Sequence, residues 1–175
     1  PKDAMARIKT GQDNEAPLRI IETVMAVDDQ RKRAMARRVA SAFGGCIRGK
    51  SIAVLGVTFK PNTDDMRDAP SIPIITALQD MGADVRVFDP VGMEQARKVL
   101  TGASFCDNAQ DCVRGAHALV VVTEWEQFRA LDLKEFAAIM ACPVIIDLRN
   151  IYSPEEAMRC GFHYRGVGRP QPATY

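Results

Sequence analysis

Residues 51–71 read SIAVLGVTFKPNTDDMRDAPS, and the fold of the whole chain follows from how this stretch is taken. It opens on Ile52-Ala53-Val54-Leu55, an unbroken apolar run of the kind that forms a strand buried on both faces. Gly56 ends the run, and a polar loop carries Lys60, Asn62, Thr63, Asp64, Asp65 and Arg67. Ala69-Pro70-Ser71 then opens a helix. Strand, polar loop and helix in that order place the loop at the carboxyl edge of a parallel sheet, where open α/β sheets bind their ligands.

Downstream, the same alternation repeats. Strands are predicted over 51–58, 84–89, 104–106, 118–123, 143–147 and 162–166, with helices near 71–81, 91–100, 108–114, 132–140 and 154–159. Leu119–Val122 is again apolar on consecutive residues, so it belongs in the interior of a sheet. Upstream, residues 1–15 are mixed, and Gly11, Asp13 and Asn14 mark a loop. A long helix is predicted from about Ala16 to Phe43, with Pro17 in its first turn and Gly44-Gly45 as its stop. Leu18, Ile21, Val24, Met25, Met35, Val39 and Phe43 make one apolar stripe, interrupted by Asp28 and Lys32. Such a helix is about 40 Å long, more than a small domain covers, so it calls for a second surface. The expected fold class is α/β: a long N-terminal helix, then a doubly wound, mostly parallel Rossmann-like sheet. The expected division is a helical segment over 1–48, with a loop remnant at 1–15, and a ligand-binding domain over 49–175.

Composition narrows the function classes. The 175 residues are 47% hydrophobic and 26% charged, as in an ordinary globular protein, and the net charge of +1 gives no global attraction to nucleic acid or an anionic membrane. The basic cluster Arg31, Lys32, Arg33, Arg37, Arg38 lacks interleaved aromatics and reads as a solvated helix face. No apolar run approaches the roughly 18 residues of a membrane span. The 5 cysteines are odd in number and form no CxxC pair, so neither a disulfide framework nor a metal site is expected, and a reducing, cytoplasmic setting fits. The start at Pro1 is that of a piece of a longer protein, and the tail GRPQPATY reads as loose.

The site candidates stand at strand ends. The first loop lacks GxGxxG, so the dinucleotide fingerprint is absent. Asp89 occupies the place of a ribose-binding acid, yet without those glycines it reads as the turn residue of Asp-Pro-Val-Gly. Asp64 and Asp65 are adjacent and diverge, which suits charge balance for Lys60 and Arg67 or capping of the next helix rather than a metal. The fourth strand ends in Thr123-Glu124-Trp125, the tryptophan covering the sheet edge, and the fifth in Asp147-Leu148-Arg149-Asn150. Lys60, Glu124 and Arg149 thus face one crevice. With Arg67, they suit a phosphorylated, nucleotide-like ligand, because arginine grips phosphate in a two-pronged fork.

The stretches GVTFKPNTDDMRDAPS, VFDP, TEWEQF and IIDLRNIYSPEEAMRCGFHYRGVGRP resemble the C-terminal domain of the bacterial-type UDP-glucose 6-dehydrogenases. The opening PKDAMA resembles the segment after that family's catalytic cysteine, in a Cys-x-Pro-Lys-Asp motif. The resemblance implies oxidation of a sugar C6 alcohol to a carboxylate with two NAD⁺, through a thiohemiacetal and a thioester on that cysteine. It places the cysteine two residues before Pro1 and most of the NAD site in an upstream domain, so this chain by itself is expected to be inactive. Asp3 then matches the carboxylate that assists proton transfer and water attack, and Lys2 lies near the nicotinamide. Phe59 and Lys60 match the pair that contacts the UDP-sugar, Arg67 matches an arginine that reaches NAD, and Arg149 matches the substrate arginine of Asp-Gly-Arg, here with Leu148 for the glycine. The helix over 16–43 resembles the family's central helix, which joins two domains and pairs with its copy in a homodimer. Dehydrogenases of GDP-mannose or UDP-N-acetylhexosamines share the FK and DDxR elements; TEW and Arg-Asn-Ile-Tyr fit the glucose branch. Outside the family, the alternatives are a receiver-like regulatory module and a non-catalytic dimeric nucleotide-binding module.

Overall fold

The consecutive apolar residues of β1 (Ser51–Leu55) and β4 (Ala118–Val121) lie side by side at the centre of a six-stranded sheet. This is the computed structural model's answer to their double-sided hydrophobicity, and it describes residues 2–169, apart from the side chain of Lys2. The remaining strands are β2 (Asp84–Phe88), β3 (Ser104–Phe105), β5 (Val144–Asp147) and β6 (His163–Gly166). They stand in the order β3-β2-β1-β4-β5-β6, and every pairing is parallel. The chain steps outward from β1 to β3, returns to lay β4 against β1, then steps the other way. The switch point of this doubly wound sheet therefore falls between β1 and β4. All six predicted strands form, the first four stopping sooner than expected because the chain leaves the ladder there to build the edge loops.

Side-chain alternation along the strands divides the core in two. Ile52, Val54, Val120 and Ile146 face a cluster shared with α2 (Arg19–Ser41), α3 (Ser71–Asp80) and α4 (Met93–Val99). Ala53, Leu55, Leu119 and Ile145 face a second cluster shared with α5 (Ala109–Val113), α6 (Glu126–Arg129), α7 (Leu133–Ile139) and α8 (Pro154–Arg159). Side-chain caps close three of these short helices: Asn108 accepts from Asp111 N, Asp132 from Lys134 N and Glu135 N, and Ser153 from Glu156 N. The helix over 126–129 was not among those expected from the sequence.

Two upstream expectations are corrected. Residues predicted as a loop form α1 (Lys2–Asp13), and the long helix begins at Arg19 rather than near Ala16. Gly11, taken as a turn signal, lies inside α1; a Cβ there would come within 2.7 Å of Ala16 O, so the glycine serves the close return of the chain. Glu15, with φ 53°, makes the break, and Ala16 N closes it on Gly11 O at 2.8 Å. With 23 residues, α2 is about 34 Å long. Its second half buries Ala36, Val39 and Ala40 against α3, whereas Ile20, Val24 and Val27 on its first half are 82%, 60% and 56% exposed. No described helix is long and apolar enough to cross a membrane, and no cluster of metal-ligating side chains occurs among the described residues. Residues 170–175, the end of the tail expected to be loose, lie outside the described residues.

Candidate functional site at the strand ends

Beyond β1 the chain turns at Gly56, whose φ is +81°. A Cβ at this position would stand 2.7 Å from Thr123 O, so the loops after β1 and β4 approach closely only because this residue is glycine. Thr123 Oγ1 then donates to Thr58 O at 2.6 Å, and the buried hydroxyl of Ser71, opening α3, donates to Val57 O. Two buried carboxylates complete the frame. Asp89 accepts from Val91 N and Gly92 N, as the turn reading expects, and also from Val57 N, Thr58 N and Trp125 Nε1. Asp147 accepts from Arg149 N, Tyr152 N and Tyr164 Oη, which shapes the loop after β5. Trp125 is thus more than a cover on the sheet edge: it is buried and tied to Asp89.

Arg149 lies across the ends of two strands. Its Nε–H donates to Val122 O at 2.8 Å, and Glu124 Oε2 stands 2.9 Å from the same nitrogen. Because that N–H is spent on the carbonyl, Glu124 Oε2 is buried without a hydrogen bond of its own, and its contact with Arg149 is purely electrostatic. Both side chains are 35% exposed, where an ion pair contributes about 0–1 kcal/mol.

Beside Arg149 a cavity of about 260 Å³ separates these strand ends from α2, with Leu148, Val122, Met35, Arg31 and Lys32 among its walls. The Lys32 side chain is 18% exposed and pairs with Asp28 at 2.8 Å and Asp29 at 3.3 Å. Burial works to lower its pKa, but Asp28 first and Asp29 second outweigh that effect, so the pKa is raised and the ammonium stays charged. The solvated-face reading of residues 31–38 therefore holds for Arg33 and Arg37 and fails for Lys32 and Arg38. Arg38 turns onto β6 to donate to Gly166 O. The signal for Lys32 was present in the sequence: Asp28 and Lys32, four apart, interrupt an apolar stripe.

Phe59 is half-buried against the first core cluster, its backbone N–H on Asp65 O at 2.8 Å, and Lys60 is exposed beside it. Arg67 is exposed and grips Asp65 through two hydrogen bonds of 2.9 and 2.7 Å, the charge balance expected of that aspartate; the pair raises the arginine's pKa. Arg67 lines a different cavity, about 470 Å³, against Gln95 and Lys98 of α4, so it does not join Arg149. Asp3 is exposed in the first turn of α1, which packs on α2. The side chain of Lys2 lies outside the described residues.

The sequence pattern described as "UDP-glucose/GDP-mannose dehydrogenase family, UDP binding domain" matches residues 53–154. A UDP-glucose 6-dehydrogenase of Rhizobium meliloti (strain 1021) is 52% identical over 170 residues, covering 97% of this chain and 39% of that protein. One of Rickettsia bellii (strain RML369-C) is 36% identical over 96% of this chain, again 39% of its own length. Among solved structures, a UDP-glucose dehydrogenase from the archaeon Pyrobaculum islandicum superposes with a TM-score of 0.76 at 29% identity, covering 95% of this chain and 36% of that one. The chain thus spans about two fifths of the length of the curated relatives it matches.

Proposed function

The chain belongs to the UDP-glucose/GDP-mannose dehydrogenase family, and from that premise we propose that it is the substrate-binding and dimerisation portion of an NAD-dependent UDP-glucose 6-dehydrogenase. The whole protein converts UDP-glucose to UDP-glucuronate by two successive oxidations through a cysteine thioester. NAD supplies the hydride acceptor and is held mainly by the part of the protein not in this chain, which is inactive alone. This sheet does not fit that role, since it has no GxGxxG loop and the backbone N–H groups at its switch point are already taken by Asp89.

The observation that carries the proposal is Arg149, stretched over the ends of β4 and β5 and held by a weak, exchangeable pair to Glu124. A diphosphate presents several acceptors to one guanidinium fork, so it competes well with a single carboxylate. Phe59 and Lys60 extend the surface, the lysine as a point charge near phosphate or sugar. By the family resemblance, Lys2 and Arg67 are assigned to the nicotinamide cofactor and Asp3 to proton transfer at the nucleophile. The helical segment 1–48 serves the dimer, and residues 49–175 serve the ligand. No membrane and no nucleic acid enters this reading, and a cytoplasmic setting suits free nucleotide-sugars.

Calorimetric titration of the chain with UDP, GDP and UDP-N-acetylglucosamine tests the proposal. UDP is expected to bind, and Arg149→Ala is expected to weaken it by about tenfold to a hundredfold. Binding of GDP with indifference to UDP would move the chain to the GDP-mannose branch and overturn the glucose reading.

A further inference from the structure

In an open α/β sheet, the backbone N–H groups at the end of the first strand, beside the switch point, receive the pyrophosphate of a dinucleotide. Successive N–H groups of this kind form a concavity that binds anions. In this chain the equivalent groups, Val57 N and Thr58 N, point at Asp89 Oδ2 at 2.8 and 3.2 Å. The same oxygen lies 3.1 Å from Thr58 Oγ1 and 3.1 Å from Trp125 Nε1. Holding the turn after β2 needs only the other oxygen, Oδ1, which accepts from Val91 N and Gly92 N. Oδ2 is therefore surplus to the turn, and its partners come from the loops after β1 and β4. Asp89 is 1% exposed, and these donors take the place of the water its oxygens lose on burial. The space around it is filled by the chain as well: a Cβ on Gly92 would meet Thr58 Cγ2 at 2.2 Å. The acid that closes the second strand, which faces a ribose in dinucleotide-binding sheets, here reaches back into the first loop.

We infer that Asp89 is a built-in anion that fills the switch-point concavity of this sheet, shutting a dinucleotide out of it and holding the Phe59–Lys60 loop in position. The exclusion stands on the geometry alone; the benefit to ligand binding rests on the function proposed above. Asp89 does not touch the ligand. It is a positioning residue, acting through Val57, Thr58 and Trp125.

Trp125 is the single tryptophan, so its indole proton is an unambiguous reporter. Hydrogen exchange by NMR in the unmodified chain should show slow exchange at Val57 N, Thr58 N and Trp125 Nε1, unchanged by millimolar NAD⁺ or pyrophosphate. In Asp89→Asn, with circular dichroism reporting the fold, all three sites should exchange about tenfold faster or more. In Asp89→Ala, formate should slow them again while chloride at the same concentration does not, since only a small carboxylate replaces the missing one. UDP affinity should fall by about tenfold in both variants and recover with formate in Asp89→Ala. Unchanged exchange in Asp89→Asn, or protection of Val57 and Thr58 by NAD⁺ in the unmodified chain, overturns the inference. Should both variants unfold, the exchange rates and NAD⁺ response of the unmodified chain still judge it. Failure of the unmodified chain to bind UDP counts against the proposed function only, because the exchange and formate measurements do not use UDP.

Discussion

The Arg149–Glu124 pair contributes little to stability, and under the proposed function it is the contact a ligand would replace. The pair is half in water, so Glu124→Gln should move Tm by less than about 3 °C while leaving UDP binding intact or tighter, as differential scanning fluorimetry and calorimetry would record. Arg149→Lys keeps the charge and loses the fork, and its affinity should fall between those of the unmodified chain and Arg149→Ala. A second residue-scale prediction lies away from this crevice. A hydrogen bond from Cys112, helped by Arg86 and opposed by burial, holds the Cys106 thiol down to about 6, while contact with Cys106 and burial push Cys112 up. Cys106 should therefore alkylate with iodoacetamide at a rate that levels off by neutral pH, and Cys112 should stay unmodified until the chain unfolds. Peptide mass mapping separates the two; equal labelling would contradict the assignment.

At the scale of elements, one tyrosine ties β6 to β5 and another ties the loop after β5 to α6. Tyr164 Oη donates to Asp147 at 3.1 Å, and Tyr152 Oη donates to Phe128 O at 2.6 Å. Burial first, and the Asp147 charge second, raise both phenol pKa values above the ordinary range. A folded pKa above the unfolded one means stability that is complete below the unfolded value of about 10 and lost as pH rises through the folded value. Urea midpoints should accordingly hold to about pH 9.5 and fall steeply beyond, and the fall should be shallower in Tyr152→Phe. The exposed first half of α2 carries a separate prediction. If Ile20 and Val24 face a second copy, as the proposed dimerisation requires, Ile20→Glu with Val24→Glu should yield monomers by light scattering with Tm nearly unchanged. A dimer that survives both changes would place the interface elsewhere.

For the whole molecule, two open surfaces flank a closed switch point. The sheet's own switch point is closed by Asp89, and the open surfaces lie to either side of the loop over 56–71, toward α2 and toward α4. Within that loop Asp65 ties Arg67 back while Phe59 packs inward. Under the proposed function, a ligand at Arg149 would meet α2, and a cofactor at Arg67 would approach from the side of α4.

Much of this was legible in the chain alone. Strands buried on both faces announce themselves as unbroken apolar runs, so Ile52–Leu55 and Leu119–Val121 located the centre of the sheet, and the loops that follow located its carboxyl edge. Phe59, Lys60, Glu124 and Arg149 could be named there because a strand's end is a local property. The start of α2 was less legible, since Gly11 and Pro17 look the same in a turn and at a close return of the backbone. What the residues along the chain could not disclose is partnership. Asp89 and Trp125 are 36 positions apart, Val122 and Arg149 27, and α2 presents Lys32 to the strand ends only after the sheet has formed. Short-range pattern determines which residues stand at the edge of a parallel sheet. Only the winding of the chain, which brings β4 beside β1, decides that Asp89 fills the first loop and that Arg149 lies across the ends of β4 and β5.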